Sequence, residues 1–94
     1  MWSVIGFDTE DEAVEIANQS IYGLNGGVIA GSLERGIALA KRMEAGTVVC
    51  NGASLWRRDT APFGGYKSSG IGREGVLDLL KEYSQRKTLV INGL

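Results

Sequence analysis

A single stretch, Ala61 to Gly75, carries the chain's one proline and its densest glycine: Ala-Pro-Phe-Gly-Gly-Tyr-Lys-Ser-Ser-Gly-Ile-Gly-Arg-Glu-Gly. A backbone so rich in glycine either turns sharply or passes close to something else. Two phosphate-binding patterns are testable here. Gly70-Ile71-Gly72-Arg73-Glu74-Gly75 matches G-x-G-x-x-G letter for letter. A dinucleotide fingerprint, however, needs a strand directly before it and an acid about 20 residues further on. Pro62, Gly64, Gly65 and two serines do not make a strand, and the last acid, Glu82, comes too soon. A P-loop needs Gly-Lys-Ser/Thr, and Tyr66 stands where that glycine belongs. The preferred reading is a tight loop packed on a neighbour. An anion nest at the start of the following helix is the alternative.

Length and composition narrow the rest. At 94 residues the chain is at most one small domain. A chain of this size buries only about 60% of its unfolded surface, so a free-standing core would be marginal. The formal net charge of −1 argues against a nucleic-acid partner. There is no histidine, which excludes imidazole bases and His metal ligands from this chain, and the single cysteine excludes an internal disulfide. One unpaired cysteine fits a reducing, cytoplasmic compartment. No apolar run reaches the about 20 residues of a membrane span, and no secretory signal is read at the N-terminus.

Taken in order, Met1 to Phe7 reads as an apolar strand. Thr9-Glu10-Asp11-Glu12 has capping-box spacing and places three acids at the positive end of a helix. That helix would bury Ala13, Ile16, Ala17 and Ser20, flanked by Val14, and end at Gly23. Leu24 to Ala30 reads as a strand, with Gly26 and Gly27 marking a close neighbouring backbone. Ser32 caps a second helix with Leu33, Ile37, Ala40 and Met43 at helical spacing. Thr47 to Asn51 is a β-branched strand. Helices between short apolar strands predict an α/β fold with a partial, mostly parallel sheet and flanking helices. A long loop follows, Gly52 to Ser69, carrying Trp56 and Phe63 either as a binding surface or docked on a sheet edge. Arg57 and Arg58 precede Asp59, which suggests local charge pairing. Arg73 to Gln85 reads as a helix with Val76, Leu77, Leu80 and Tyr83 on one side, and Lys87 to Asn92 as a final edge strand.

The run Pro62-Phe63-Gly64-Gly65-Tyr66-Lys67-Ser68-Ser69-Gly70-Ile71-Gly72-Arg73-Glu74 closely resembles the P-F-G-G-x-K-x-S-G-x-G-R-E segment of aldehyde dehydrogenases. Tyr22-Gly23-Leu24, Glu44-Ala45-Gly46 and Asn51 also sit where the C-terminal portion of that family has them. The resemblance implies that residues 1–86 are the end of a catalytic domain and residues 87–94 an oligomerisation strand. It implies Phe63 as an aromatic lining the substrate tunnel, Trp56 in the variable loop at the tunnel mouth, and Leu89, Val90, Ile91 and Asn92 in the strand that joins a second subunit.

In that family a cysteine thiolate attacks the aldehyde, the thiohemiacetal gives hydride to NAD(P), and a glutamate-activated water releases the acid. The nucleophile, the glutamate and the cofactor domain would all lie before Met1. NAD or NADP would then belong to the complete enzyme, with none bound by this segment alone, and the partners would be the remainder of the chain and a second subunit. Cys50 is not at the nucleophile's position; with no histidine or helix N-terminus beside it, it reads as a small strand hydrophobe. Two other readings stay open: a stand-alone module docking by its edge strand, and a truncated product without a function of its own.

Overall fold

The structure, a computed structural model, describes residues 1–93. Thr9 opens the first helix, α1 (Glu10–Asn18), and its hydroxyl accepts from the Glu12 amide at 3.2 Å. The Glu12 carboxylate reaches one residue further back than an ideal capping box and accepts from the Asp8 amide at 2.8 Å. The helix stops at Gln19 rather than at Gly23. Gly23 instead belongs to β1 (Tyr22–Gly23).

A β-α-β unit follows. It comprises β2 (Asn25–Val28), α2 (Leu33–Ala40) and β3 (Thr47–Cys50). The two strands pair in parallel, Asn25 opposite Thr47 through Val28 opposite Cys50. Ser32 caps α2 by accepting from the Arg35 amide at 3.3 Å. Of the predicted α2 stripe, Ala40 and Met43 are half-buried, with the Met43 methyl over Gly26 of β2. Leu33 and Ile37 are exposed, while Gly36 is buried against Cys50 and Ala30. A Cβ on Gly36 would lie in ordinary contact, 3.8 Å from the Cβ atoms of both Ala30 and Cys50. Ion pairs Glu10–Arg35 and Asp11–Arg42 tie α1 to α2 on their outer sides.

The sheet is a correction to the sequence reading. Mixed α/β content holds, but a mostly parallel sheet does not. Beside the parallel pair lies a separate antiparallel one, β1 with β4 (Tyr66–Lys67), pairing Tyr22 with Lys67 and Gly23 with Tyr66. Neither Met1–Phe7 nor Lys87–Asn92 forms a ladder among the described residues, although both were read as strands. A strand is defined by its neighbour, and no neighbour within the chain reaches either segment. The last helix, α3 (Val76–Glu82), is shorter than the pattern suggested, and Val76, Leu77, Leu80 and Tyr83 on it and at its end are exposed.

Burial explains the consequence. Among the described residues no hydrophobic side chain is fully buried, and the three buried positions are Gly23, Gly36 and Gly65. The chain exposes 8120 Å², against about 5,200 Å² for a folded monomer of this size. Its radius of gyration is 18.2 Å, where about 12 Å is typical of this length. The elements are held by backbone contact and polar ties rather than by a core.

Candidate functional site

The glycine-rich stretch folds back on itself. The Phe63 amide donates to the Glu74 carbonyl at 2.8 Å and the Glu74 amide returns the bond to Phe63 at 2.6 Å. This antiparallel bridge closes the loop at its base. Inside it, Arg73 donates to the carbonyls of Gly65 (3.2 Å) and Gly72 (2.7 Å), and its guanidinium lies 5.2 Å from the Tyr66 ring centroid. An exposed arginine would have no reason to turn inward; here it satisfies carbonyls that the glycine turns leave unpaired. Gly72 has a φ of 77°, a left-handed turn that favours glycine.

Two further ties fix the loop to the rest of the chain. Ser69 accepts from the Gly23 amide at 2.9 Å, and the Ser68 amide donates to the Ile21 carbonyl at 3.0 Å. Lys67 donates to the carbonyls of Asn18 (2.6 Å) and Ser20 (3.1 Å) and pairs with Glu44 at 2.6 Å. A cation there meets the negative end of α1. Asn18 completes the joint, donating to the Arg42 carbonyl and accepting from the Glu44 amide, each at 2.9 Å. Beneath the loop runs the turn into β3, so close that a Cβ on Gly46 would fall on the Gly64 carbonyl oxygen.

Between the loop and α3 lies a groove of about 440 Å³. Phe63, Ile71, Arg73, Leu79, Glu82 and Tyr83 are among its walls. Phe63 therefore stands in a concave surface, half-buried. Trp56 does not line this groove; it sits on the preceding loop, about half exposed. Leu89, Val90, Ile91 and Asn92 are far from it in character, exposed along an extended segment.

Two contacts were not legible in the sequence. Arg57 pairs with Glu74 at 3.1 Å, across the loop rather than with its neighbour Asp59. The same guanidinium lies 4.4 Å from the Phe63 ring centroid. Cys50 is half-buried on β3, with its sulfur beside Gly36 and outside the groove.

The Gly70–Gly75 motif lacks the setting of a dinucleotide fingerprint. The Glu82 carboxylate stands over Gly72, so that a Cβ there would lie 3.1 Å from its oxygen. A pyrophosphate drawn to the Gly70–Gly75 backbone would meet that negative charge, and only the two-residue β4 and a turn precede the motif. The described residues also hold no cluster of His, Cys, Asp or Glu that could bind a metal ion, and no helix long and apolar enough to cross a membrane.

Residues 1–89 match the aldehyde dehydrogenase family model. The chain belongs to the aldehyde dehydrogenase family. It is 42% identical over 83 residues to the lactaldehyde dehydrogenase of Methanocaldococcus jannaschii, covering 88% of this chain and 18% of that protein. It is 45% identical over 89 residues to the betaine aldehyde dehydrogenase of Rhizobium leguminosarum bv. trifolii, covering 95% and 18%. Among solved structures it superposes on the Mycobacterium tuberculosis aldehyde dehydrogenase complexed with NAD+ with a TM-score of 0.83 and 37% identity, covering 92% of this chain and 17% of that one. The M. jannaschii glyceraldehyde-3-phosphate dehydrogenase complexed with NADP gives a TM-score of 0.81 and 42% identity, covering 89% and 18%. The chain thus spans about a fifth of the length of the relatives it matches.

Proposed function

We propose that this chain is the C-terminal part of an NAD(P)-dependent aldehyde dehydrogenase, which oxidises an aldehyde to a carboxylic acid in the cytoplasm. Residues 1–86 complete the catalytic domain and residues 87–94 reach a second subunit. Phe63 forms part of the aldehyde tunnel wall, and Trp56 shapes its mouth. The thiol nucleophile, the general base and the cofactor site come from polypeptide outside these residues. Cys50 is not a catalytic group.

The observation that carries this reading is the closed loop itself. Its family-matching run from Pro62 to Glu74 is bridged at Phe63 and Glu74, so the aromatic ring is presented from a rigid base. A preorganised ring is what a tunnel wall needs, because a loose one would have to be ordered at each binding event. The apolar surface left uncovered supports the same reading, since soluble monomers rarely expose so much. The unpaired Leu89–Asn92 segment also suits docking on a sheet edge.

The test is a chimera in which these residues replace the matching stretch of the M. jannaschii lactaldehyde dehydrogenase. It is expected to fold and to form NAD(P)H on addition of an aldehyde. A folded chimera without turnover would overturn the proposal.

A further inference from the structure

We infer that Arg57 is a positioning residue for the Phe63 ring, and through that ring a determinant of which aldehydes the tunnel accepts. The inference rests on Phe63 belonging to the tunnel wall.

The main chain of Phe63 is fixed by its two hydrogen bonds to Glu74. The side chain is half-buried, in a chain with no fully buried apolar residue among those described. What stands behind it is the Arg57 guanidinium, 4.4 Å from the ring centroid. Phe63 lines the groove and Arg57 does not, so the cation backs the ring from outside. A guanidinium suits this place because its hydrogen bonds lie in its plane while its flat face is free to stack. One of those bonds goes to Glu74, from Arg57 Nη2 to the Oε2 oxygen at 3.1 Å. Glu74 therefore acts twice: its backbone holds the Phe63 backbone, and its carboxylate holds the residue that holds the ring. Arg57, Phe63 and Glu74 close a triangle that the sequence spreads over 18 positions.

The effect should depend on the aldehyde. A bulky, flat substrate presses on the ring and gains from a surface ordered in advance. A short linear one touches it less. Loss of Arg57 is therefore a change in selectivity.

The experiment uses the active chimera with benzaldehyde and propionaldehyde as substrates. Arg57→Ala is expected to raise the ratio of their KM values, benzaldehyde over propionaldehyde, about two- to fivefold, the scale of an exposed cation–π contact. The kcat ratio should move less. Arg57→Lys should recover part of the selectivity, since it keeps the charge and loses the plane. In a Phe63→Ala background, Arg57→Ala should add nothing, because the ring it acts through is gone. Where Arg57→Ala fails to fold, Arg57→Met, which keeps the packing stem, takes its place. An unchanged KM ratio, or an equal change with and without the Phe63 ring, overturns the inference while the active chimera leaves the tunnel reading standing. A folded chimera with no turnover overturns both.

Discussion

The Lys67 ammonium nitrogen lies 2.6 Å from the Asn18 carbonyl oxygen, joining the glycine-rich loop to the end of α1 across 49 positions of chain. Lys67 also pairs with Glu44 and itself has a φ of 51°, where a side chain is tolerated only under constraint. Its three charged hydrogen bonds predict that Lys67→Met destabilises the chimera by about 2 kcal/mol. Lys67→Gly should cost no more than Lys67→Ala, because glycine relieves the left-handed backbone. Urea unfolding of the three variants checks both statements. Equal stability of Lys67→Met and the parent would show the joint to be idle.

Gly46 predicts a harsher outcome. A methyl there has no room beside the Gly64 carbonyl, and neither partner is a side chain that could swing away. Gly46→Ala should cost more than about 4 kcal/mol or leave the protein insoluble. Gly6 and Gly31 are controls, since a Cβ on either meets nothing within 4 Å. Soluble yield and thermal melting of the alanine variants provide the comparison.

For the 94-residue chain alone, the lack of a buried apolar core among the described residues and the proposal that the thiol nucleophile lies outside it set the expectation. It should bind a hydrophobic dye such as ANS, associate as concentration rises, and form no NAD(P)H with any aldehyde. Turnover by this chain, abolished in Cys50→Ala, would contradict the assignment of Cys50 as a packing residue.

Val90 tests the subunit contact. Proline removes the amide that a strand partner needs. In the chimera, Val90→Pro is expected to shift the oligomer toward smaller species in analytical ultracentrifugation, with Val90→Thr retaining the parental size. An unaltered distribution for Val90→Pro would place the contact elsewhere.

How much of this was readable in advance depends on the range of the signal. The caps at Thr9 and Ser32 are local, with partners three residues away, and both form as their spacing predicts. The strand at Thr47–Cys50 is legible for the same reason, being a short β-branched run. The β1–β4 pair is not, because two residues carry no period and their partners lie about 45 positions apart. Arg57 looks paired with Asp59 in the sequence, yet the chain turns and offers Glu74 instead. The α2 stripe of Leu33, Ile37, Ala40 and Met43 is half legible: Ala40 and Met43 are half-buried, Met43 against Gly26, while Leu33 and Ile37 stay exposed. The family match at Pro62–Glu74 located the site, but only coordinates separate Phe63 in the groove from Trp56 outside it.

The innermost positions, Gly23, Gly36 and Gly65, have no side chains at all. Tolerance to substitution should therefore run opposite to that of an ordinary globule. Leucines and isoleucines on the outer faces are free to drift with whatever surface they meet. A single added methyl at Gly23 or Gly65 would press on the main chain of Glu44 or Ser69. Anyone shuffling this segment among related dehydrogenases should treat those joints as fixed hinge-pins and vary the apolar skin around them.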